Sequence, residues 1–271
     1  MNKNHNSLPL SILVTLFIIF TSSISFIGMI TTVFAEEGVI DTIAVGKNPR
    51  GVAYNSDNGN MYVVNQGSNT VSVIDGATHK VIDTIAVGGY PIGIAYNSDH
   101  GTMFVTNENS DSVSVINSSD NTVIDTINVG DDPNGVAYNP GYDLIFVANQ
   151  GSNTVSVIDG RSQVLKIIDT INVGDDPNGV AYNSDNTNMY VTNSNSDTVS
   201  VIDGGSLEVI YTINVGVTPF GVTYNSVNGH AYVTNFNSDT VSAISTIDGS
   251  THSVTDTIAV GNGPSAIAYN S

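Results

Sequence analysis

Three observations predict an all-β repeat fold for this chain of 271 residues. A tetrapeptide, Tyr-Val-Val-Asn at 62–65, recurs four times with small changes; the recurrences begin at Phe104, Phe146, Tyr190 and Tyr232. The successive steps are 42, 42, 44 and 42 residues, and a fixed period of this size is typical of stacked structural repeats. No window keeps the 3.6-residue apolar periodicity of an amphipathic helix.

Each repeat contains four short apolar runs, which we interpret as four β-strands. In the first repeat the first run is Gly51–Tyr54, whose small residues suit a crowded strand near a central axis. Asn58-Gly59 follows and favours a two-residue hairpin, because a type I′ turn needs positive φ at both central positions. The second run is Met61–Asn65, which ends with the recurring tetrapeptide.

The third run, Thr70–Asp75, carries apolar residues on both faces of a strand, as a sheet packed between two others requires. The fourth run is Lys80–Val87. Runs of about 4–8 residues, rich in Val, Ile, Thr and Tyr and bounded by turn residues, are typical of antiparallel strands. We therefore predict a β-propeller of four-stranded antiparallel blades. A β-solenoid is the alternative, although its repeating unit is normally shorter.

The number of runs predicts five complete blades and a partial sixth. The first and fourth runs each occur six times, whereas the second and third occur five times. On this pattern the chain opens with the outer strand of a blade and stops after the inner strand of the sixth, at Tyr269. We expect Ser271 to be a truncation point.

These residues also carry a family resemblance. Tyr-Val-Thr-Asn at 190–193 and 232–235, with Thr-Val-Ser-Val-Ile-Asp at 70–75, 154–159 and 198–203, resembles the YVTN-type (40-residue repeat) β-propeller family. The resemblance covers nearly all of residues 39–271. It implies an exported propeller similar to those of archaeal surface-layer proteins and related bacterial periplasmic proteins. The family has no common catalytic residues, so the resemblance implies an architecture more than an activity.

The first 35 residues lie outside the repeat and are predicted to be an export signal, leaving 36–271 as the propeller. Lys3 is the only charge before an apolar run at 8–34, and Val33 and Ala35 suit the −3 and −1 positions of a cleavage site. The alternative is an uncleaved anchor, since about 20 apolar residues can span a bilayer. Both interpretations place the propeller outside the cytoplasm, secreted or at the cell surface, with membrane contact only through 8–34.

The composition excludes some partners. The chain has 25 acidic against 6 basic residues, a formal charge of −19, so nucleic acids and anionic lipid surfaces are poor partners. The acidity suits the solubility of an exported protein, and a cation-binding role for part of it stays open. The chain has no cysteine and hence no disulfide. Asn117-Ser118-Ser119 is a candidate glycosylation site.

Ligand binding is expected on the face formed by the inter-blade loops and the loops joining second to third strands, because these loops vary between repeats. The weak candidates there are Tyr90, Asp131, Asp132, Asp175, Asp176, Phe220 and Phe236. The two Asp-Asp pairs offer oxygen ligands suited to Ca²⁺, yet their spacing is that of neither an EF-hand nor an RTX-type calcium loop, and a solvated turn before proline is the favoured explanation. We expect no metal or other cofactor, with Ca²⁺ left open.

No catalytic constellation is visible, so we predict a non-enzymatic binding scaffold for other surface proteins or a small ligand. The hairpin histidines His79, His100, His230 and His252 are expected on the opposite face, on different blades. No nucleophile elbow or phosphate-binding loop is present. The alternatives are a lactonase- or lyase-like propeller enzyme and a structural module of a larger surface-layer protein. The recurring Asn of the tetrapeptide is assigned a structural role, based on its tolerance of left-handed backbone angles.

Overall fold

The computed structural model describes residues 13–15, 31–33, 39, 41–161, 165–246 and 252–270. The chain divides into two compact units, Met1–Thr42 and Ile43–Ser271. In the first unit two short strands, β1 (Leu13–Thr15) and β2 (Thr31–Val33), pair antiparallel. The rest of the predicted export signal lies outside the described residues. Within the described ranges, no helix is both long and apolar enough to cross a membrane.

The second unit consists of five four-stranded antiparallel sheets, which confirms the predicted complete blades. Blade 1 contains β3 (Pro49–Tyr54), β4 (Asn60–Asn65), β5 (Thr70–Asp75) and β6 (Lys80–Ala86). Blade 2 contains β7 (Pro91–Asn97), β8 (Thr102–Asn107), β9 (Ser112–Asn117) and β10 (Thr122–Asn128). Blade 3 contains β11 (Pro133–Asn139), β12 (Leu144–Asn149), β13 (Thr154–Asp159) and β14 (Lys166–Asn172).

Blade 4 contains β15 (Pro177–Tyr182), β16 (Met189–Asn193), β17 (Thr198–Ile202) and β18 (Val209–Asn214). Blade 5 contains β19 (Pro219–Asn225), β20 (His230–Asn235), β21 (Thr240–Ser245) and β22 (Ser253–Ala259). In every blade the spatial order of the strands follows the chain, as expected for hairpin connections. Two short 3₁₀ turns, Glu108–Ser110 and Phe236–Ser238, follow β8 and β20.

A separate apolar core lies between each pair of neighbouring blades. Tyr62, Val71 and Val73 of blade 1 pack with Met103 and Val105 of blade 2, all fully buried. Three further clusters join blades 2 and 3, blades 3 and 4, and blades 4 and 5 in the same way. Because successive side chains of a strand point to opposite faces, each middle strand of blades 2 to 4 contributes to two cores. This packing on two sides explains why both faces of these strands are apolar in the sequence.

The first strands of consecutive blades lie so close together that only glycine fits at their centre. A Cβ on Gly93 would lie 2.4 Å from the carbonyl oxygen of Asn134 in the next blade. Gly51, Gly135, Gly179 and Gly221 meet a carbonyl of the following blade in the same way, at 2.2–2.9 Å. This contact explains the glycine of the first run in each repeat.

The recurring Asn of the tetrapeptide has a structural role, but the expected left-handed backbone is wrong. Asn107 is extended, with φ −118° and ψ 94°. Its Nδ2 donates to Ser112 Oγ (3.2 Å) and Ser114 Oγ (3.0 Å) on the adjacent strand. The other four copies, Asn65, Asn149, Asn193 and Asn235, make the equivalent pair of bonds. The motif Asn therefore fastens the second strand of each blade to the third.

The partial sixth blade is present as its inner segment, 264–270, which forms no strand. Gly263 precedes this segment with φ +60°, and its amide donates to Asp239 Oδ1 of blade 5 (2.9 Å). A Cβ on Gly221 would lie 2.9 Å from the Ser265 carbonyl oxygen. The segment therefore begins against blade 5 where the first strand of the next blade belongs.

Candidate functional site

The inter-blade loops and the loops joining second to third strands lie on one face of the second unit, which we name the loop face. The amides of Gln66 and Gly67 donate to the Asn48 and Lys47 carbonyls at 3.0 Å. Blade 2 has the same contact, in which the Glu108 amide donates to the Tyr90 carbonyl (3.1 Å). These contacts place the variable loops together, as the sequence predicted.

Each inter-blade loop is fixed by side chains from two blades. Its second residue has a left-handed backbone, as at Tyr90 (φ 57°) and Asp132 (φ 51°). The Asp132 amide donates to Asp111 Oδ1 of the preceding blade (3.0 Å), and the Asp131 amide donates to Ser152 Oγ of its own blade (2.6 Å). The same two bonds recur with different residues at the other inter-blade loops. The loop face is therefore a preorganised surface.

Two positions per blade that differ between repeats lie at the inner end of this face. One is the second residue of the first strand, and the other is the residue after the motif Asn. They are neighbours: Arg50 Nε donates to Gln66 Oε1 (3.1 Å), and the rings of Phe220 and Phe236 are 6.5 Å apart. From blade 1 to blade 5 the pairs are Arg50–Gln66, Ile92–Glu108, Asn134–Gln150, Asn178–Ser194 and Phe220–Phe236. The set combines two charged side chains, five uncharged polar ones and three apolar ones, so it offers both hydrogen-bonding groups and apolar contact to a ligand.

Glu108 is the electrostatically unusual member of this set. Its Oε2 atom is buried and has no hydrogen-bond partner. Burial, the largest effect, raises the pKa of Glu108, Asp132 raises it further, and the positive charge of Arg50 lowers it. A buried carboxylate oxygen without a donor is costly, so a ligand group that donates a hydrogen bond would be stabilised here.

The structure brings some of the predicted candidates to this region. Tyr90 adjoins Glu108 through its backbone, and its side chain is 40% exposed. Phe220 and Phe236 are in ring contact, and Asp132 lies within electrostatic range of Glu108.

The remaining candidates, Asp131, Asp175 and Asp176, lie in the inter-blade loops of blades 3 and 4. Their backbone amides are bonded to loop side chains, and Asp175 Oδ1 accepts from Asn153 Nδ2 (3.3 Å). In the described part of the chain, no three His, Asp or Glu side chains are grouped to hold a metal ion.

The sequence reasoning missed Arg50, Gln66 and Glu108. A signal was present, because Arg50 is the one cation among the residues that directly precede the glycine of each first run. Likewise, Glu108 is the one acid among the residues that follow the motif Asn. Their proximity depends on the lateral spacing of blades, which the sequence pattern did not supply.

The opposite face carries a histidine contact that was also missed. His100 Nε2 lies 2.7 Å from Asp143 Oδ2 of the next blade, and Asp143 Oδ1 accepts from Tyr138 Oη and Asn97 Nδ2, both at 3.2 Å. Comparable bonds elsewhere, from Tyr96 to Asp57 (2.7 Å) and from Tyr224 to Asp185 (2.6 Å), join other blades. The His100 contact thus belongs to a recurring set of inter-blade ties.

The glycosylation candidate Asn117 also lies on the opposite face, at the end of β9. It is half-buried. Its Oδ1 accepts from the amide and the hydroxyl of Ser119 at 2.9 and 2.8 Å. Asp75 and Asp203 hold the corresponding turns of other blades with their carboxylates.

Comparison with known proteins supports the fold. No family model matches the sequence, and no curated protein matches it. Among solved structures, a functionally unknown protein from Desulfotomaculum acetoxidans has a TM-score of 0.69 at 16% identity, covering 88% of this chain and 78% of that one. Virginiamycin B lyase from Staphylococcus aureus has a TM-score of 0.68 at 15% identity, and the match covers 80% of this chain and 73% of the lyase. Kuenenia stuttgartiensis hydrazine synthase has a TM-score of 0.60 at 18% identity, and the match covers 86% of this chain and 92% of that one. At these identities the likeness shows a β-propeller fold and no more.

Proposed function

We propose that this chain is an exported, non-enzymatic propeller of the YVTN type that binds a ligand on its loop face, around Arg50 and Glu108. One observation carries the proposal: the buried, unpartnered Oε2 of Glu108 lies on a preorganised surface that differs from blade to blade. Repeated strands build the scaffold, and the unrepeated loop-face side chains supply recognition. The apolar run after Lys3 and the acidic composition support export.

The chemistry of the site selects a ligand with a hydrogen-bond donor, best an ammonium group, for Glu108. A guanidinium pairs readily with a carboxylate, so Arg50 suits an acidic group on the same ligand. Phe220 and Phe236 offer apolar contact, and Phe236 is 42% exposed. A free small molecule and a side chain of another surface protein can both present these groups. In both cases the site recognises a hydrogen-bond donor next to an acidic group.

The binding test uses benzylamine, which pairs an ammonium group with a ring. Calorimetry at neutral pH should show weak binding that is lost in Glu108→Gln and kept in Glu208→Gln, a change at an exposed acid of blade 4. Equal binding by the parent and Glu108→Gln would contradict the proposed site. Cell fractionation tests export separately: the mature chain should begin at Glu36 in an extracytoplasmic fraction, and a cytosolic protein starting at Met1 would contradict it.

A lyase-like enzyme is the second candidate, favoured by the raised pKa of Glu108 next to a cation on a fold shared with a lyase. A carboxyl group of this kind suits proton transfer. Incubation with quinupristin, which is bound in a structure of an inactive variant of that lyase, decides between the candidates. We expect unchanged quinupristin by mass spectrometry. Conversion that disappears in Glu108→Gln would favour the enzyme instead.

A further inference from the structure

The fourth strand of each blade is the outer edge of its sheet, and one side of its backbone has no partner strand in the described sheets. Just after β6, the amide of Val87 donates to the Asn69 carbonyl (3.1 Å), towards the third strand. Backbone groups of a strand point alternately to its two sides, so the amide of Thr84, three residues earlier, points to the open side. Equivalent bonds from Val129, Val173, Val215 and Val260 place the amides of Thr126, Thr170, Thr212 and Thr257 in the same way.

A carboxylate covers this outward amide in four of the five blades. Asp83 Oδ1 accepts from the Thr84 amide (2.7 Å), and Asp125 Oδ1 accepts from the Thr126 amide (2.8 Å). Asp169 and Asp256 accept from the amides of Thr170 and Thr257 at 2.7 and 2.8 Å. All four threonines are exposed. We name Asp83, Asp125, Asp169 and Asp256 the edge carboxylates; they belong to a recurring Asp-Thr-Ile run to which the proposed ligand site assigns no role.

The outer strand forms without this carboxylate. In blade 4 the position belongs to Tyr211, whose ring packs against that of His252 (centroids 4.5 Å apart). β18 nevertheless pairs with β17 along its length and has the bulge of the other blades. Ile213, two residues after Tyr211, is 6% exposed, and Ile85 of blade 1 is also 6% exposed. The edge carboxylates are therefore not required to build the blade, and their hydrogen bonds serve the open side of the strand.

The outer edges are otherwise suited to pairing with another chain. The residue that each bulge leaves without a partner is an exposed isoleucine in four blades: Ile82 and Ile124 are 53% exposed, Ile168 40% and Ile210 41%. Unpaired backbone amides next to exposed apolar side chains are a template for edge-to-edge association. A second copy of this chain carries the same edges, so it is the partner that these strands would meet first.

We propose that the edge carboxylates prevent a second copy of this chain from adding its outer strand to these sheets. Each carboxylate occupies the amide that an added strand needs as a donor. Pairing would have to break this bond and remove an ionised group from water, which is costly when no new partner replaces it. The outer wall of the second unit is thereby kept from self-association, while the loop face stays available for recognition.

The test compares two variants of the full chain that lose the same charge. One replaces all four edge carboxylates with alanine. The other replaces them with asparagine, whose side-chain oxygen can accept the same hydrogen bond. Hydrogen exchange is followed at the amides of Thr84, Thr126, Thr170 and Thr257. In dilute alanine variant these amides should exchange about fivefold faster than in the parent, since a hydrogen bond is lost. As the protein concentration rises, exchange in this variant should slow again and sedimentation should show larger species. In the parent and the asparagine variant, exchange at these amides should not depend on concentration.

The single variant Asp125→Ala keeps the test decisive if the fourfold alanine variant fails to fold. It should show faster exchange at Thr126 and unchanged exchange at Thr84, Thr170 and Thr257. Equal association of the alanine and asparagine variants would overturn the proposal, because loss of charge and not loss of the hydrogen bond would then be the cause. Exchange at the four threonine amides that stays independent of concentration in a folded alanine variant would overturn it as well, because any association would then use another surface.

Discussion

Replacing Thr192 with valine tests how neighbouring blades are joined. Thr192 is fully buried in β16. Its Oγ1 accepts from the Gly179 amide (2.8 Å) within blade 4 and donates to the Phe220 carbonyl (2.7 Å) of blade 5. Valine keeps the volume and removes both hydrogen bonds, so the variant isolates this polar link between blades.

The expected cost is about 2 kcal/mol of unfolding free energy, because two neutral hydrogen bonds of about 0.5–1.5 kcal/mol each are lost. A much larger cost is not expected, since Val64 and Ala148 occupy the same position in blades 1 and 3. Thr234 provides a graded comparison. Among the described residues, its Oγ1 bonds to the Gly221 amide (2.8 Å) and carbonyl (3.3 Å) of its own blade, so Thr234→Val should cost about 1 kcal/mol.

Urea unfolding followed by circular dichroism measures these differences, provided that the slope with denaturant is unchanged. The reciprocal variant Val64→Thr should stabilise the protein by up to about 1 kcal/mol, because it introduces the hydroxyl that blade 1 lacks. The reasoning is refuted if Thr192→Val lies within about 0.5 kcal/mol of the parent protein, the usual scatter of neutral changes, or if Thr234→Val costs more than Thr192→Val.

Three further predictions concern glycine, Glu108 and alkaline pH. Gly93→Ala should lower the free energy of unfolding by about 3 kcal/mol in urea, because the added Cβ would lie 2.4 Å from the Asn134 carbonyl oxygen. Gly261→Ala should be neutral, because a Cβ there has no atom within 4 Å. Equal costs for the two variants would contradict the close strand contact. Glu108→Gln should raise the melting temperature at pH 7, because the raised pKa in the folded state means that ionisation of Glu108 weakens the fold. The gain in melting temperature should vanish below the ordinary pKa of a glutamate. A gain that does not depend on pH would refute this reasoning. Burial is the main cause that raises the pKa of Tyr96 to about 12. The protonated side chain therefore contributes to the stability of the fold below about pH 10, and this contribution is lost as the pH rises towards 12. Melting curves from pH 8 to 12 should show less of this loss in Tyr96→Phe, and parallel curves would argue against it.

The strands could be located from the sequence almost to the residue. The runs at 51–54, 61–65, 70–75 and 80–87 correspond to β3, β4, β5 and β6. Turn residues and the two-residue alternation of a strand determine these boundaries. The first strand begins earlier than its run because Pro49 pairs with Asn65 across a bulge, which apolar patterning does not reveal.

The candidate site was less predictable because its residues come from different repeats. Arg50 and Glu108 are near each other only through the packing of blade 1 on blade 2. Nor could the role of the motif Asn be inferred from its type alone. Asn tolerates a left-handed backbone, yet the residues that adopt one lie four positions later in the loops, such as Asp111 and Asp239. Local propensity identified Asn and Asp as residue types that tolerate a left-handed backbone, and tertiary contacts determine which of these residues adopt it.

The distribution of hydrogen bonds separates architectural from functional acids in this chain. Asp111 and Asp239 accept from inter-blade amides, and Asp203 accepts from the Ser206 amide, which is the largest effect lowering the pKa of that carboxyl. These carboxylates therefore stabilise turns, and part of the negative charge is a consequence of the fold. Glu108 differs, since its Oε2 is buried without a donor and its pKa is raised. Because ionisation of Glu108 weakens the fold, tests of the proposed ligand binding should begin at this residue.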